Sequence, residues 1–180
     1  MVEQMISDVF KKAWKISLDN FVVLIIAALI AIGGSLLIVT AAPLFFGLFY
    51  ICIKLYSGED AKISDVFKGF EYFLTSWGIA LLAGLAVAIG LVLLVIPGLL
   101  LSIVFQYAAA IALIEKKGAI DSLKRSYELG KKHFEFSLIL WILIAIINQI
   151  AGVIGIAIIL SVPFTTLLIS IAAVDLSKKK

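Results

Sequence analysis

Residues Tyr72–Ile114 read YFLTSWGIALLAGLAVAIGLVLLVIPGLLLSIVFQYAAAIALI, 43 positions without an ionised side chain. A helix crosses the roughly 30 Å hydrocarbon core of a bilayer with about 20 apolar residues. At about 1.5 Å per residue, the whole stretch wound as one helix would be roughly twice as long as that core is thick. It has to enter the apolar phase, turn and return, and Ile96-Pro97-Gly98 supplies a breaker near its middle. Two further charge-free stretches obey the same arithmetic: Asn20–Ile53, with 34 residues, and Phe136–Val174, with 39. Three stretches that each double back predict six transmembrane helices in three hairpins.

The rest of the chain agrees. Of 180 residues, 63% are hydrophobic and only 15% charged, with a mean hydropathy of +1.19. Soluble domains carry about 45–50% apolar and about 25% charged residues. Too little polar surface is available to coat a water-soluble globule, which excludes a soluble enzyme, a nucleic-acid-binding domain and a disordered chain. The first apolar run starts behind a charged amphipathic segment and is far longer than a signal-peptide core of about 7–15 residues. It is read as a retained span.

Each charge-free stretch holds one of the chain's three prolines, Pro43, Pro97 and Pro163. Proline suits the first helical turn, where its missing N–H is not needed, so each is expected to open the second helix of its hairpin. In the third hairpin the turn lies either at Pro163 or nearer Gly152 and Gly155, with Pro163 then kinking the last helix. All charged residues lie at the open ends of the hairpins and none at the turns. By the positive-inside rule both termini and both long connections are expected in the cytoplasm.

The segments ahead of the hairpins repeat. Ile6-Ser7-Asp8-Val9-Phe10-Lys11 recurs identically as Ile63-Ser64-Asp65-Val66-Phe67-Lys68, and Ile120-Asp121-Ser122-Leu123-Lys124-Arg125 is a degenerate third copy. Apolar residues at helical spacing (Val9, Phe10 and Ala13; Val66, Phe67 and Phe70; Leu123 and Tyr127) oppose charged ones, which predicts three amphipathic helices lying in the headgroup layer. The expected architecture is an all-α membrane protein of one domain, with three parallel repeats (about 4–60, 61–117 and 118–178), each an interfacial helix followed by a transmembrane hairpin. Small residues on the first helix of each hairpin (Ala27/Ala31/Ser35, Ala80/Gly84/Ala88 and Ala151/Gly155) are expected to let helices approach closely.

Three motifs carry a resemblance: Phe67-Lys68-Gly69-Phe70, Ile96-Pro97-Gly98, and Ala119–Ser126 with its serines Ser122 and Ser126. Together they resemble the membrane domain attached to some glycerophosphodiester phosphodiesterases and related small prokaryotic membrane proteins. Tyr127 stands where tryptophan is more usual. The resemblance covers about residues 63–135 and implies a membrane module without catalytic residues of its own.

No catalytic, cofactor or metal motif is present, and a non-enzymatic protein is expected. Cys52 lies in an apolar span with no base beside it. Two candidate sites remain. Lys116, Lys117, Lys124, Arg125, Lys131 and Lys132, with Lys178–Lys180, form a basic patch suited to anionic lipid headgroups or a protein partner. Ser102, Gln106 and Asn148 are polar residues within spans, where such groups either bond neighbouring helices or line a cavity. The first site predicts a membrane module that binds lipid or a partner, with homo-oligomers open. The second predicts a transporter or channel for a small neutral or lipidic solute.

Overall fold

The computed structural model describes residues 2–178; Lys179 and Lys180 of the basic patch lie outside it. The described chain is helical throughout: α1 (Val2–Asp19), α2 (Phe21–Gly34), α3 (Ile38–Tyr56), a 3₁₀ helix (Ile63–Tyr72), α4 (Phe73–Leu93), α5 (Val95–Phe105), α6 (Ala108–Glu115), α7 (Ala119–Lys132), α8 (Phe134–Ile154) and α9 (Ile158–Lys178). Five helical segments are long and apolar enough to cross a membrane, and α1 with α2 makes a sixth if that bent pair is counted as one span. The chain is a multi-pass type of helical protein by length and composition.

Local chemistry sets the breaks. At Asn20 the chain turns by 92°. The Asn20 backbone N–H and its side-chain amide both donate to the Ile16 carbonyl, which ends α1 before α2 begins. The turn after α2 is Ser35-Leu36-Leu37, and the Thr40 hydroxyl closes it by donating to the Leu37 and Gly34 carbonyls. Pro97 stands in the first turn of α5, as expected, three residues after the extended N-cap residue Leu94. Pro43 and Pro163 do not open their helices: each lies inside one, about a turn and a half from its start. The third turn falls at Gly155, whose φ of +69° favours glycine.

The proline inside α3 has a compensating partner. Without an N–H, Pro43 cannot donate to the Val39 carbonyl four residues back. The indole Nε1–H of Trp77 on α4 donates there instead, at 3.0 Å.

The helix interior is also broken at Gln106-Tyr107, between α5 and α6. Carbonyls on the α5 side of the break accept from side chains. Gln106 Nε2 donates to Ile103, and the Ser126 hydroxyl of α7 donates to Val104 at 2.6 Å. Gln106 Nε2 also reaches the Ser137 carbonyl, and the fully buried Tyr107 donates its hydroxyl to Ser137 Oγ at 3.0 Å. These bonds tie the break to α7 and α8.

Helices α3, α6 and α9 touch one another and form the centre, filled by Leu48, Ile51, Ile111, Leu167, Leu168 and Ile171. Their small residues are buried: Gly47 and Cys52, Ala108, Ala110 and Ala112, Ser170, Ala172 and Ala173. Close approach is thus made on the second member of each consecutive helix pair. Of the small residues expected to pack on the first members, Ala27 and Ala31 of α2 and Ala151 of α8 are buried. Ala80, Gly84 and Ala88 face outward, and a Cβ added to Gly84 would meet nothing. Helices α4 and α8 are outer helices: Ile79 and Leu140 are buried, but many of their other leucines and isoleucines remain exposed, as lipid-facing surface would be.

The amphipathic segments pack against the helix pair that precedes them, not the one that follows. The 3₁₀ helix lies on α2 and α3, α7 lies on α4, α5 and α6, and α1 lies on α8 and α9 at the other end of the chain. The contacts are tight. A Cβ on Gly69 would run into the Pro43 carbonyl, one on Gly47 into the Val66 carbonyl, and one on Gly130 would stand 2.7 Å from the Val104 Cα. The second segment departs from its expected form. It is 3₁₀ and leads straight into α4 as one 31-residue helical segment. With three residues per turn, Val66 and Gly69 stack on one line against α3. Phe67 and Phe70, on the apolar face expected to lie in the headgroup layer, are exposed on the protein surface and stack on each other at 6.5 Å.

Candidate functional site

The charged residues gather where the amphipathic segments cross the ends of the central helices. Each crossing carries an ion pair. Lys54 of α3 meets Asp65 of the 3₁₀ helix at 2.9 Å. Glu115 of α6 meets Arg125 of α7 at 3.2 Å, and Asp175 of α9 meets Lys12 of α1 at 3.0 Å. Tyr56 completes the last group by donating to Asp175 and accepting from Lys12 at 3.1 Å. The bond to Tyr56, and then that to Asp175, raise the Lys12 pKa above its ordinary value.

This geometry divides the six basic residues of the patch. Lys117 and Arg125 are engaged: Lys117 with Glu115 at 2.6 Å, and Arg125 with Glu115 and Glu128. Lys116, Lys124, Lys131 and Lys132 are exposed. On α7 the inward face is Ser122, Leu123, Ser126, Leu129 and Gly130. The outward ridge at helical spacing is Ile120, Lys124, Tyr127 and Lys131, and Ile120 and Tyr127 are 59% and 44% exposed. A helix packed on one side therefore presents apolar and cationic side chains in alternation on the other. Helix α1 has the same kind of ridge in Lys11, Trp14, Lys15 and Leu18, with Trp14 55% exposed. Alternating bulky apolar and lysine side chains suit a headgroup boundary, where rings bury and ammonium groups stay wet.

The three polar residues within spans are not brought together. Ser102 and Gln106 line an open groove of about 390 Å³ between α4 and α5, beside Gly84 and Ala88. The Ser102 hydroxyl donates to the Leu99 carbonyl of its own helix. Gln106 serves the α5–α6 break, as described above. Asn148 lies on the exposed side of α8 and does not line that groove. Cys52 is fully buried, with Sγ 4.0 Å from the Pro163 carbonyl.

A larger groove of about 600 Å³ lies between α1, α2, α8 and α9. Its wall includes Phe10, Trp14, Phe21 and Phe164; Phe164 meets the rings of Phe10 and Trp14 edge to face at 5.4 and 6.1 Å. Sequence reasoning missed this feature because its walls come from both ends of the chain. The only local signal was the aromatic pair Phe10 and Trp14 on one face of the first helix.

The fold and these surfaces define the class: an α-helical protein whose apolar helices fit repeated passage through a membrane. No family model, curated protein or solved structure matches the chain.

Proposed function

We propose that the protein is a non-enzymatic membrane module of three parallel hairpin repeats, α2–α3, α4–α5/α6 and α8–α9, which binds anionic lipid at its charged, cytoplasmic face through α7. The observation that carries this reading is the outward ridge Ile120-Lys124-Tyr127-Lys131 on a helix whose other face is already packed. Buried apolar area and attraction to anionic headgroups add on such a ridge, at about 1 kcal/mol per basic residue near the surface. The charge distribution supports the orientation, with hairpin turns outside a prokaryotic cell and both termini inside. The resemblance to the phosphodiesterase-associated membrane domain fits as well. Gly69, Gly98 and Ser126, which belong to its motifs, sit at points of very close backbone approach or bond a broken helix. A central conduit is less favoured, because large buried side chains fill the space between α3, α6 and α9.

The test is lipid retention. The full chain, purified from mixed phosphatidylglycerol and phosphatidylcholine bilayers and examined by native mass spectrometry, is expected to retain phosphatidylglycerol several-fold over its share of the mixture. Lys124→Gln with Lys131→Gln should reduce that enrichment. Equal retention of the two lipids by the unaltered chain would remove the lipid reading. Cross-links from Lys124 or Lys131 to a soluble protein would then favour a protein partner.

A further inference from the structure

The ridge on α7 is a surface, whereas the space between α1, α2, α8 and α9 is a concavity with a charged rim. We propose that this groove is a discrete site for one anionic lipid, with an acyl chain in the groove and the headgroup on Lys11 and Lys15. The proposal rests on the membrane reading but not on α7.

Three observations converge on that occupant. The groove measures about 600 Å³, within the range of small-molecule sites. Its lining is apolar except for two hydroxyls, and one of these, on Ser161, donates to the Ile158 carbonyl of its own helix. The other, on Ser17, is covered and has no hydrogen-bond partner in the structure.

The rim supplies the sign of charge. Lys11 and Lys15 are exposed, stand one turn apart, and share the helix surface with Trp14 and Leu18 of the groove wall. Among the described residues neither lysine is in an ion pair, whereas Lys12, between them in sequence, pairs with Asp175. Two cations on α1 next to the apolar lining residues Trp14 and Leu18, with the exposed Asp8 and Asp19 a turn away on the same helix, complement a molecule with a phosphate head and a hydrocarbon tail. The walls α2, α8 and α9 are built from charge-free sequence along the groove, so a soluble polypeptide would have to enter the apolar phase to fill it, while lipid is already there.

Trp14 reports the site directly. The full chain is reconstituted in phosphatidylcholine vesicles containing graded fractions of brominated phosphatidylglycerol or brominated phosphatidylcholine. The fluorescence difference between the native chain and Trp14→Phe isolates the groove tryptophan. Half-quenching by the brominated anionic lipid is expected at a mole fraction roughly tenfold lower than by the zwitterionic one. Lys11→Gln with Lys15→Gln should bring the two curves together while quenching by phosphatidylcholine persists. Ala157→Phe, which fills the groove, should weaken quenching by both. Lys124→Gln with Lys131→Gln should leave the Trp14 preference intact, which separates this site from α7. Coincident curves in the native chain would overturn the proposal, leaving only bulk lipid. A Trp14 signal that neither lipid quenches would also overturn it and, if Lys15→Cys cross-linked between copies, would assign the groove to a second copy of the chain.

Discussion

At the scale of single residues, polar groups are placed where the backbone fails to satisfy itself. In hydrocarbon an unpaired carbonyl costs several kcal/mol because no water replaces the missing donor. Val39 loses its donor to Pro43 and recovers one from Trp77; Val104 lies beside the Gln106-Tyr107 break and is served by Ser126. The Val39 case makes a closed prediction. Trp77→Phe should cost about 1–2 kcal/mol in thermal or denaturant unfolding of the detergent-solubilised protein. In a Pro43→Ala background the residue-43 N–H is restored, and the same change should cost clearly less. Equal costs in both backgrounds would mean that the indole acts by packing alone. Neither bond was legible in the sequence. The sequence put Pro43 in a first helical turn, where no donor is missed, and nothing in the residues around Trp77 said which carbonyl it would reach.

At the scale of elements, the crossings of amphipathic segment over central helix depend on absent side chains. Gly69 and Gly47 allow the 3₁₀ helix and α3 to meet backbone to backbone. Overpacking in a tight interface commonly costs about 1–3 kcal/mol, and more where the neighbour is backbone that cannot step aside. Gly69→Ala should therefore destabilise the protein by at least about 2 kcal/mol. Gly84→Ala, on the open face of α4, should change stability little and even gain from helix propensity. A thermal-shift comparison of the two variants checks this, and similar losses at both positions would contradict the packing described. Helical periodicity showed which segments were amphipathic and that they were helical. It assumed an α-helical period for all three, and the middle one winds as 3₁₀, which turns Phe67 and Phe70 outward and lines Gly69 up with Val66.

At the scale of the molecule, the packing order is cyclic. Each amphipathic segment covers the preceding helix pair, and α1 closes the ring on the last. The ion pairs Lys54–Asp65, Glu115–Arg125 and Asp175–Lys12 mark the three joints, which the hairpin reading puts on one face. With the hairpin reading, this places the three apolar turns at Leu36, Leu94 and Ile156 together on the face away from those joints. Single cysteines at these positions in a Cys52→Ala background are expected to react with a membrane-impermeant thiol reagent added outside intact cells, while one at Lys62 reacts only after lysis. Reaction of a turn position solely after lysis would refute the shared orientation of the hairpins.

The unaided sequence was enough to determine that this chain is helical and that several of its helices are apolar and long enough to cross a membrane, because three long stretches carry no charge and exceed the length of one span. It also located the basic residues of α7, since charge is a property of the residue. Tertiary structure alone decided which helices are central and which face lysines are spent on ion pairs. It also decided that residues 10–25 meet residues 143–164 around a groove. Those outcomes depend on distances between segments remote along the chain, and local periodicity carries no information about which remote surface a given face will meet.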